Sequence, residues 1–177
     1  MKVKNVFVLC IIVLAVFSCK PSKKELTEQE KLKNEIVNIE KELYKSEEIN
    51  EELAIQIIEK YIEFVNEYPN DTIAPDYLFK AAEISMNIGE SEDAIAFLTR
   101  IEKNYKKYSN YPACVFLKAF IFENSIGDIA MAQEYYSLFL KDYPDHILAK
   151  DAEAALLFLG MNDQQLLELF SVMNKYN

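Results

Sequence analysis

Three cysteines and one histidine are the residues in this chain best suited to covalent or metal chemistry, and their placement restricts that chemistry severely. Cys10 lies inside an apolar run, Cys19 closes that run, and Cys114 stands alone in the body of the chain. A single histidine, His146, cannot build a histidine-based metal site, and no H-E-x-x-H or C-x-x-C spacing occurs. Cys114 with His146 is the one thiol–base pairing available for nucleophilic catalysis. The plainer reading, a small buried thiol and an unrelated imidazole, is the one expected. Carboxylates come in pairs (Glu47 with Glu48, Glu51 with Glu52, Glu92 with Asp93) on charged helical stretches, where solvation or the positive end of a helix accounts for them. Ser91 is the expected N-cap of the helix that Glu92 and Asp93 open. No glycine-rich phosphate loop is present. The sequence thus offers no catalytic set, no metal site and no cofactor site, and no enzyme is expected.

The chemistry that remains is at Cys19. Lys2 and Lys4 precede twelve uncharged, mostly apolar residues from Val6 to Phe17, a run too short to span a bilayer and of the right length for a secretion signal. It ends in Val16-Phe17-Ser18-Cys19, which resembles a lipobox, where a small residue precedes a cysteine that is acylated on sulfur and becomes the new N-terminus. The resemblance implies a signal peptide over 1–18, and a lipidated cysteine with its tether over 19–25. It also implies palmitate-type acyl chains on Cys19 as the only attached group. Several acyl chains on one residue make a stable anchor. Lys20, where an aspartate would retain the protein in the inner membrane, points to a bacterial outer membrane facing the periplasm.

Charge and composition bound the rest. The chain carries −10 overall, and setting aside Lys2 and Lys4 leaves 17 cations against 29 anions, or −12. Such a surface repels a phosphate backbone, so nucleic acid is not an expected partner. Only 3 glycines and 5 prolines occur, too few for the turns of a sheet protein of this length. Cys114 has no thiol to pair with once Cys19 is acylated, so a helical core rather than disulfides must hold the fold.

The spacing of apolar residues then supplies the elements. Residues 26–50 form a charged, amphipathic helix with Leu32, Ile36, Ile39 and Leu43 in one stripe. The stripe either packs on the next helix, the reading preferred here, or makes a short oligomerising coiled coil. Over 51–177 the three glycines, Gly89, Gly127 and Gly160, lie 38 and 33 residues apart. Ala81, Ala119 and Ala152 each sit eight residues before a glycine, and Ala94 and Ala132 five after one. Tyr68-Pro69 and Tyr143-Pro144 close two units, with Lys106 in the second where a proline is expected. Recurrence near 34 residues indicates helix–turn–helix repeats. Alanines give room for close helix approach, glycine ends helix A in the left-handed conformation, and proline stops helix B. Phe120 and Glu153 depart from this pattern, at positions where a small side chain is expected.

Asp76 to Gly89 followed by Ala94 to Leu98, and Gly127 to Ala132 followed by Tyr136 to Pro144, resemble tetratricopeptide repeats of envelope lipoproteins. The families most similar are those of the outer-membrane assembly lipoprotein BamD and of the Tol–Pal-associated repeat protein. The resemblance implies an all-α solenoid of about three helical hairpins plus a capping helix pair, preceded by the N-terminal charged helix. It implies a lipid-anchored adaptor that binds a protein or peptide, the alternative being a coiled-coil-linked homo-oligomer that organises the envelope. In this family ligands lie along the surface built by successive A helices. That register selects Asp76, Phe79, Glu83, Met86, Leu117, Ile121, Asn124 and Lys150. The lysine–asparagine clamp for an acidic C-terminus is missing from it, so a hydrophobic or basic peptide is the expected ligand.

Overall fold

A computed structural model describes residues 25–45 and 48–173, which form eight α-helices and no strand. These are α1 (Glu28–Leu43), α2 (Glu51–Glu67), α3 (Ala74–Asn87), α4 (Ser91–Asn104), α5 (Tyr111–Ile121), α6 (Ile129–Asp142), α7 (Ala149–Phe158) and α8 (Asp163–Met173). A π-helical segment, Phe122–Ile126, extends α5. Each helix packs mainly on its neighbours in sequence, the arrangement of a solenoid.

Local chemistry starts the helices. Thr27 and Glu30 form a reciprocal capping box at α1, with each side chain accepting from the other's backbone N–H. Asn50 Oδ1 accepts from Leu53 N at 3.0 Å and Asp128 Oδ1 from Met131 N at 3.0 Å, capping α2 and α6. Pro75 and Pro112 sit in the first turns of α3 and α5, where a missing N–H costs nothing. Ser91 does not cap α4: it is the first helical residue and is buried, and Glu90 is the flanking residue. The preceding turn decides this, because Glu90 N is already tied back to Ser85 O at 2.8 Å beyond Gly89 (φ +88°).

The repeat is most regular along α2, α4 and α6. Tyr61, Leu98 and Tyr136 occupy one position, and Phe64, Ile101 and Phe139 the next, all essentially inaccessible to solvent. Tyr68, Tyr105 and Tyr143 then end the three helices with one conformation, φ between −135° and −126° and ψ between 46° and 56°. Their carbonyls accept from the backbone N–H of Asp71, Tyr108 and His146 at 2.9–3.1 Å. The carbonyls of those residues accept in turn from Ala74, Tyr111 and Ala149 at 2.9–3.0 Å. α4 makes this turn with Lys106 where the other two have proline. The proline is therefore an accessory, and the tyrosine turn is the repeating stop.

Counting from these turns corrects the register read from the glycines. Tyr68 and Gly89 are 21 residues apart, but Tyr105 and Gly127 are 22. The π-helical segment absorbs the additional residue, as an insertion into an α-helix commonly is. Ala119 therefore corresponds to Ala82, and Lys118 to Ala81. Phe120, read as an intruder at a small-residue position, is exposed instead. In the last unit α7 has 10 residues against 14 in α3, about one turn fewer, so Gly160 arrives early. Glu153 is likewise exposed.

The stripe of α1 is used internally. Leu32, Ile36, Ile39 and Leu43 are buried in one core with Ala54, Ile57 and Tyr61 of α2, so α1 is the first helix of a hairpin and presents no free coiled-coil seam. That core runs on through α3 and α4 to Cys114 and Ile121, while a second, smaller core joins α5, α6 and α7 around Tyr136 and Phe139. The closing pair is thinly packed: Phe158 and Phe170 meet at 5.7 Å between ring centres, and Leu157, Leu167 and Val172 remain exposed.

Ser85 is buried on α3 with its hydroxyl unpartnered, a desolvation cost with no return. Ser85→Ala is expected to raise unfolding free energy by about 1 kcal/mol. Gly89→Ala, forced into a left-handed conformation, is expected to lower it by about 1 kcal/mol. Urea titration followed by circular dichroism measures both; a loss for the first or no change for the second contradicts this account.

Candidate functional site

The residues selected from the sequence lie on α3, α5 with its π-helical extension, and α7, the first helices of their pairs, and α1 is the first helix of the pair before them. Glu40 of α1 lies at the start of this strip, accepting from Lys80 Nζ at 2.7 Å and from the Tyr61 hydroxyl at 2.6 Å. One carboxylate thus joins α1, α2 and α3. Glu83 is exposed on α3, yet partial desolvation pushes its carboxyl above the ordinary value, with Lys80 pulling the other way. Phe79 and Met86 are half-buried against the core. Asp76 is half-buried and accepts from the Tyr108 hydroxyl at 2.8 Å, while the Phe79 and Tyr108 rings lie 6.3 Å apart.

On α5 the register error has consequences. Leu117 is half-buried, but Ile121 is fully buried and cannot touch a partner. Counted from the tyrosine turns it corresponds to Ile84 of α3, which is buried as well, and the inserted residue enters only after it. Asn124 is exposed on the π-helical segment, where its Nδ2 donates to Phe120 O at 3.0 Å. Lys150 is exposed on α7. Asp76, Phe79, Glu83 and Met86 thus share one helix, Leu117 and Asn124 extend the strip onto the next pair, and Lys150 sits on the pair after that.

Sequence reasoning missed two features. The first is α1 itself, whose Glu40 and exposed Tyr44 belong to the same strip; the ladder position of Tyr61 was the available signal. The second is Lys118, buried at 2% exposure, whose ammonium lies 2.7 Å from Glu102 Oε2, 2.6 Å from the Tyr135 hydroxyl and 4.3 Å from the Tyr135 ring centre. Phe122 stacks on Tyr135 with 5.6 Å between ring centres. Burial of a lysine requires this complete set of partners.

Cys114 and His146 do not form a catalytic pair. Cys114 is buried and its thiol is pushed up to about 12, by burial first and by the Glu102 charge next, so no thiolate is available near neutrality. The His146 ring packs edge-on against Phe139 at 5.4 Å, and its Nδ1 accepts from Leu148 N at 3.2 Å. Among the described residues no group of acidic, histidine or cysteine side chains is placed to hold a metal ion. No described helix is long and apolar enough to cross a membrane. Cys19 lies outside the described residues.

Residues 76–108 and 113–146 each match the family model for the tetratricopeptide repeat. These two segments, together less than half of the chain, are what is similar to tetratricopeptide repeats. The matched repeats run from α3 through the turn at Tyr108, and from α5 through the turn at His146, so they follow the tyrosine turns rather than the glycines. No curated protein matches the chain. Repeats of this kind point to protein–protein interaction rather than to chemistry at a reacting centre.

Burial, followed by hydrogen bonds to Glu40, Asp76 and Glu123, holds the phenols of Tyr61, Tyr108 and Tyr136 well above their ordinary 10.0. The folded state keeps protons that the unfolded state releases, so this stabilisation is complete below about pH 10 and is lost as pH rises beyond it. The urea midpoint is expected to fall between about pH 9 and pH 11, and to fall less in Tyr61→Phe/Tyr136→Phe. An equal fall in the variant contradicts the assignment. In a variant with Cys10 and Cys19 replaced by serine, Cys114 is expected to resist a thiol reagent at neutral pH until denaturant is added.

Proposed function

We propose that this chain is a lipid-anchored, non-catalytic adaptor of the bacterial cell envelope, held at the outer membrane facing the periplasm by acyl chains on Cys19. Its tetratricopeptide repeats bind a protein or peptide partner. The observation that carries the reading is the pair of matched repeats with an acidic and apolar strip along their first helices, formed by Glu83 beside half-buried Phe79, Met86 and Leu117. A peptide combining apolar and basic side chains complements that strip: its apolar groups cover the half-buried surface and its cations meet carboxylates. Anchoring raises the local concentration of the site at the membrane without any added contact. Assembly of outer-membrane proteins is the process to which such an adaptor belongs in this reading, by its resemblance to BamD-like lipoproteins.

The test combines anchor and partner. Full-length protein is expected to partition into detergent and to carry acyl mass on its Cys19 peptide, and Cys19→Ala to partition into water. In-cell crosslinking from membranes is expected to recover barrel-assembly components with the wild type and to lose them with Cys19→Ala. A Glu83→Lys/Phe79→Asp variant is expected to keep the anchor and lose the partner by at least tenfold. A water-soluble wild type overturns the anchor, and recovery of this chain alone overturns the adaptor.

A further inference from the structure

The successive tyrosine turns enclose a concavity of about 1090 Å³ on the edge of the solenoid, which meets the strip described above at Asp76. Its walls are the turn after α2 and the turn after α4. Two hydroxyls bridge them: Tyr105 donates to Pro69 O at 2.8 Å and Tyr108 to Asp76 at 2.8 Å. Around this groove, in a chain of net negative charge, stand Arg100, Lys103, Lys106 and Lys107.

These cations are not balanced locally. Lys103, Lys106 and Lys107 are exposed and have no ion-pair partner among the described residues. Arg100 makes only a long bond to Val65 O at 3.4 Å. Glu102, the one acid in the same stretch, is turned away and paired with buried Lys118. On the opposite wall Asp71 is neutralised by Lys33, while Asp76, which accepts from the Tyr108 hydroxyl, keeps its charge, so four cations face one unpaired carboxylate across the groove. Lysines in the last turn of a helix commonly balance its carbonyl dipoles, but Lys106 and Lys107 lie beyond the end of α4.

The groove also lies at the anchor end of the molecule. Gln29 and Lys33, in the first turns of α1, bond to Asp71 in the groove wall, so the chain enters the fold beside it. Thr27 lies eight residue steps beyond Cys19, a reach of at most about 28 Å even fully extended. We propose that this groove binds the phosphate headgroup of an anionic phospholipid, so that the lipidated chain rests on the bilayer at two points. The inference rests on the anchor reading for its geometry, and its test is independent of acylation.

The mature-length chain beginning with Cys19→Ser is floated with vesicles of phosphatidylcholine alone, or with about a third phosphatidylglycerol, in low salt and in roughly 0.5 M salt. Net charge alone predicts repulsion from the anionic vesicles, so binding to them is diagnostic. Each lysine is expected to add roughly fivefold to that binding, so Lys103→Gln/Lys106→Gln/Lys107→Gln loses about a hundredfold, with an unchanged thermal melt. Lys20→Gln/Lys23→Gln/Lys24→Gln in the tether is expected to retain the preference for anionic vesicles. Equal binding to both vesicle types, or a preference that follows the tether lysines, overturns the proposal. Saturation by inorganic phosphate or polyglutamate without vesicle binding overturns it too, assigning the groove to a soluble anion or an acidic peptide. Failure of acylation shows instead in detergent partitioning, and leaves this result standing.

Discussion

No helix in this chain can bury its own apolar face. Each is a short amphipathic rod whose stripe becomes core only when the next helix is laid across it, so the structure depends on how consecutive helices are aimed at one another. The tyrosine turn supplies that aim. Tyr68, Tyr105 and Tyr143 stop their helices in one conformation and pass the chain through the same pair of backbone hydrogen bonds. The side chains one and two turns back, from Tyr61 and Phe64 to Tyr136 and Phe139, then meet the following helix at the same depth. The fully buried Ala82, Ala94, Ala119 and Ala132 permit the close approach that this geometry demands.

Where the apolar core divides, a polar device takes its place. Lys118 occupies the position that Ala81 fills in the preceding unit, and its length carries the ammonium to Glu102 of α4 and Tyr135 of α6. The pair lies at the junction of the two cores, so α4, α5 and α6 are joined there by charge as well as by packing. Isolated in apolar surroundings, either charge is costly. Paired, with a hydroxyl and an aromatic face completing the shell, the arrangement tolerates one relative position of three helices and few others. Glu40 plays a similar part at the start of the chain, accepting from Tyr61 and Lys80 at once, and Glu123 accepts from Tyr136 in the third pair.

Much of this was legible in the sequence. Glycine at the ends of α3 and α5, alanine at the crossings and tyrosine–proline at two of the stops each have a local physical cause, so residue type alone revealed them. The stripe of Leu32, Ile36, Ile39 and Leu43 favoured packing on the next helix, and burial across the hairpin with α2 bears that out. Two other features were not legible locally. The placement of Ile121 failed because glycines were used as the ruler, and a glycine marks where a helix ends without reporting how many residues were needed to reach it. The groove beside Tyr105 and Tyr108 was missed for a different reason. Its cations come from one stretch, but the acids that leave them unbalanced are engaged by residues far away in sequence.

The π-helical segment has a consequence for how such a chain can change in length. An additional residue inside a regular α-helix would turn everything after it by about 100° and advance it by about 1.5 Å, carrying every downstream contact out of alignment. Between Phe122 and Ile126 the surplus is taken up in one widened turn, and Gly127 resumes the ordinary path with φ +76°. The unit is thus buffered against insertion. The tyrosine turns form the fixed lattice of the molecule, and the stretch before Gly127 is the slack that takes up a surplus residue without dismantling it.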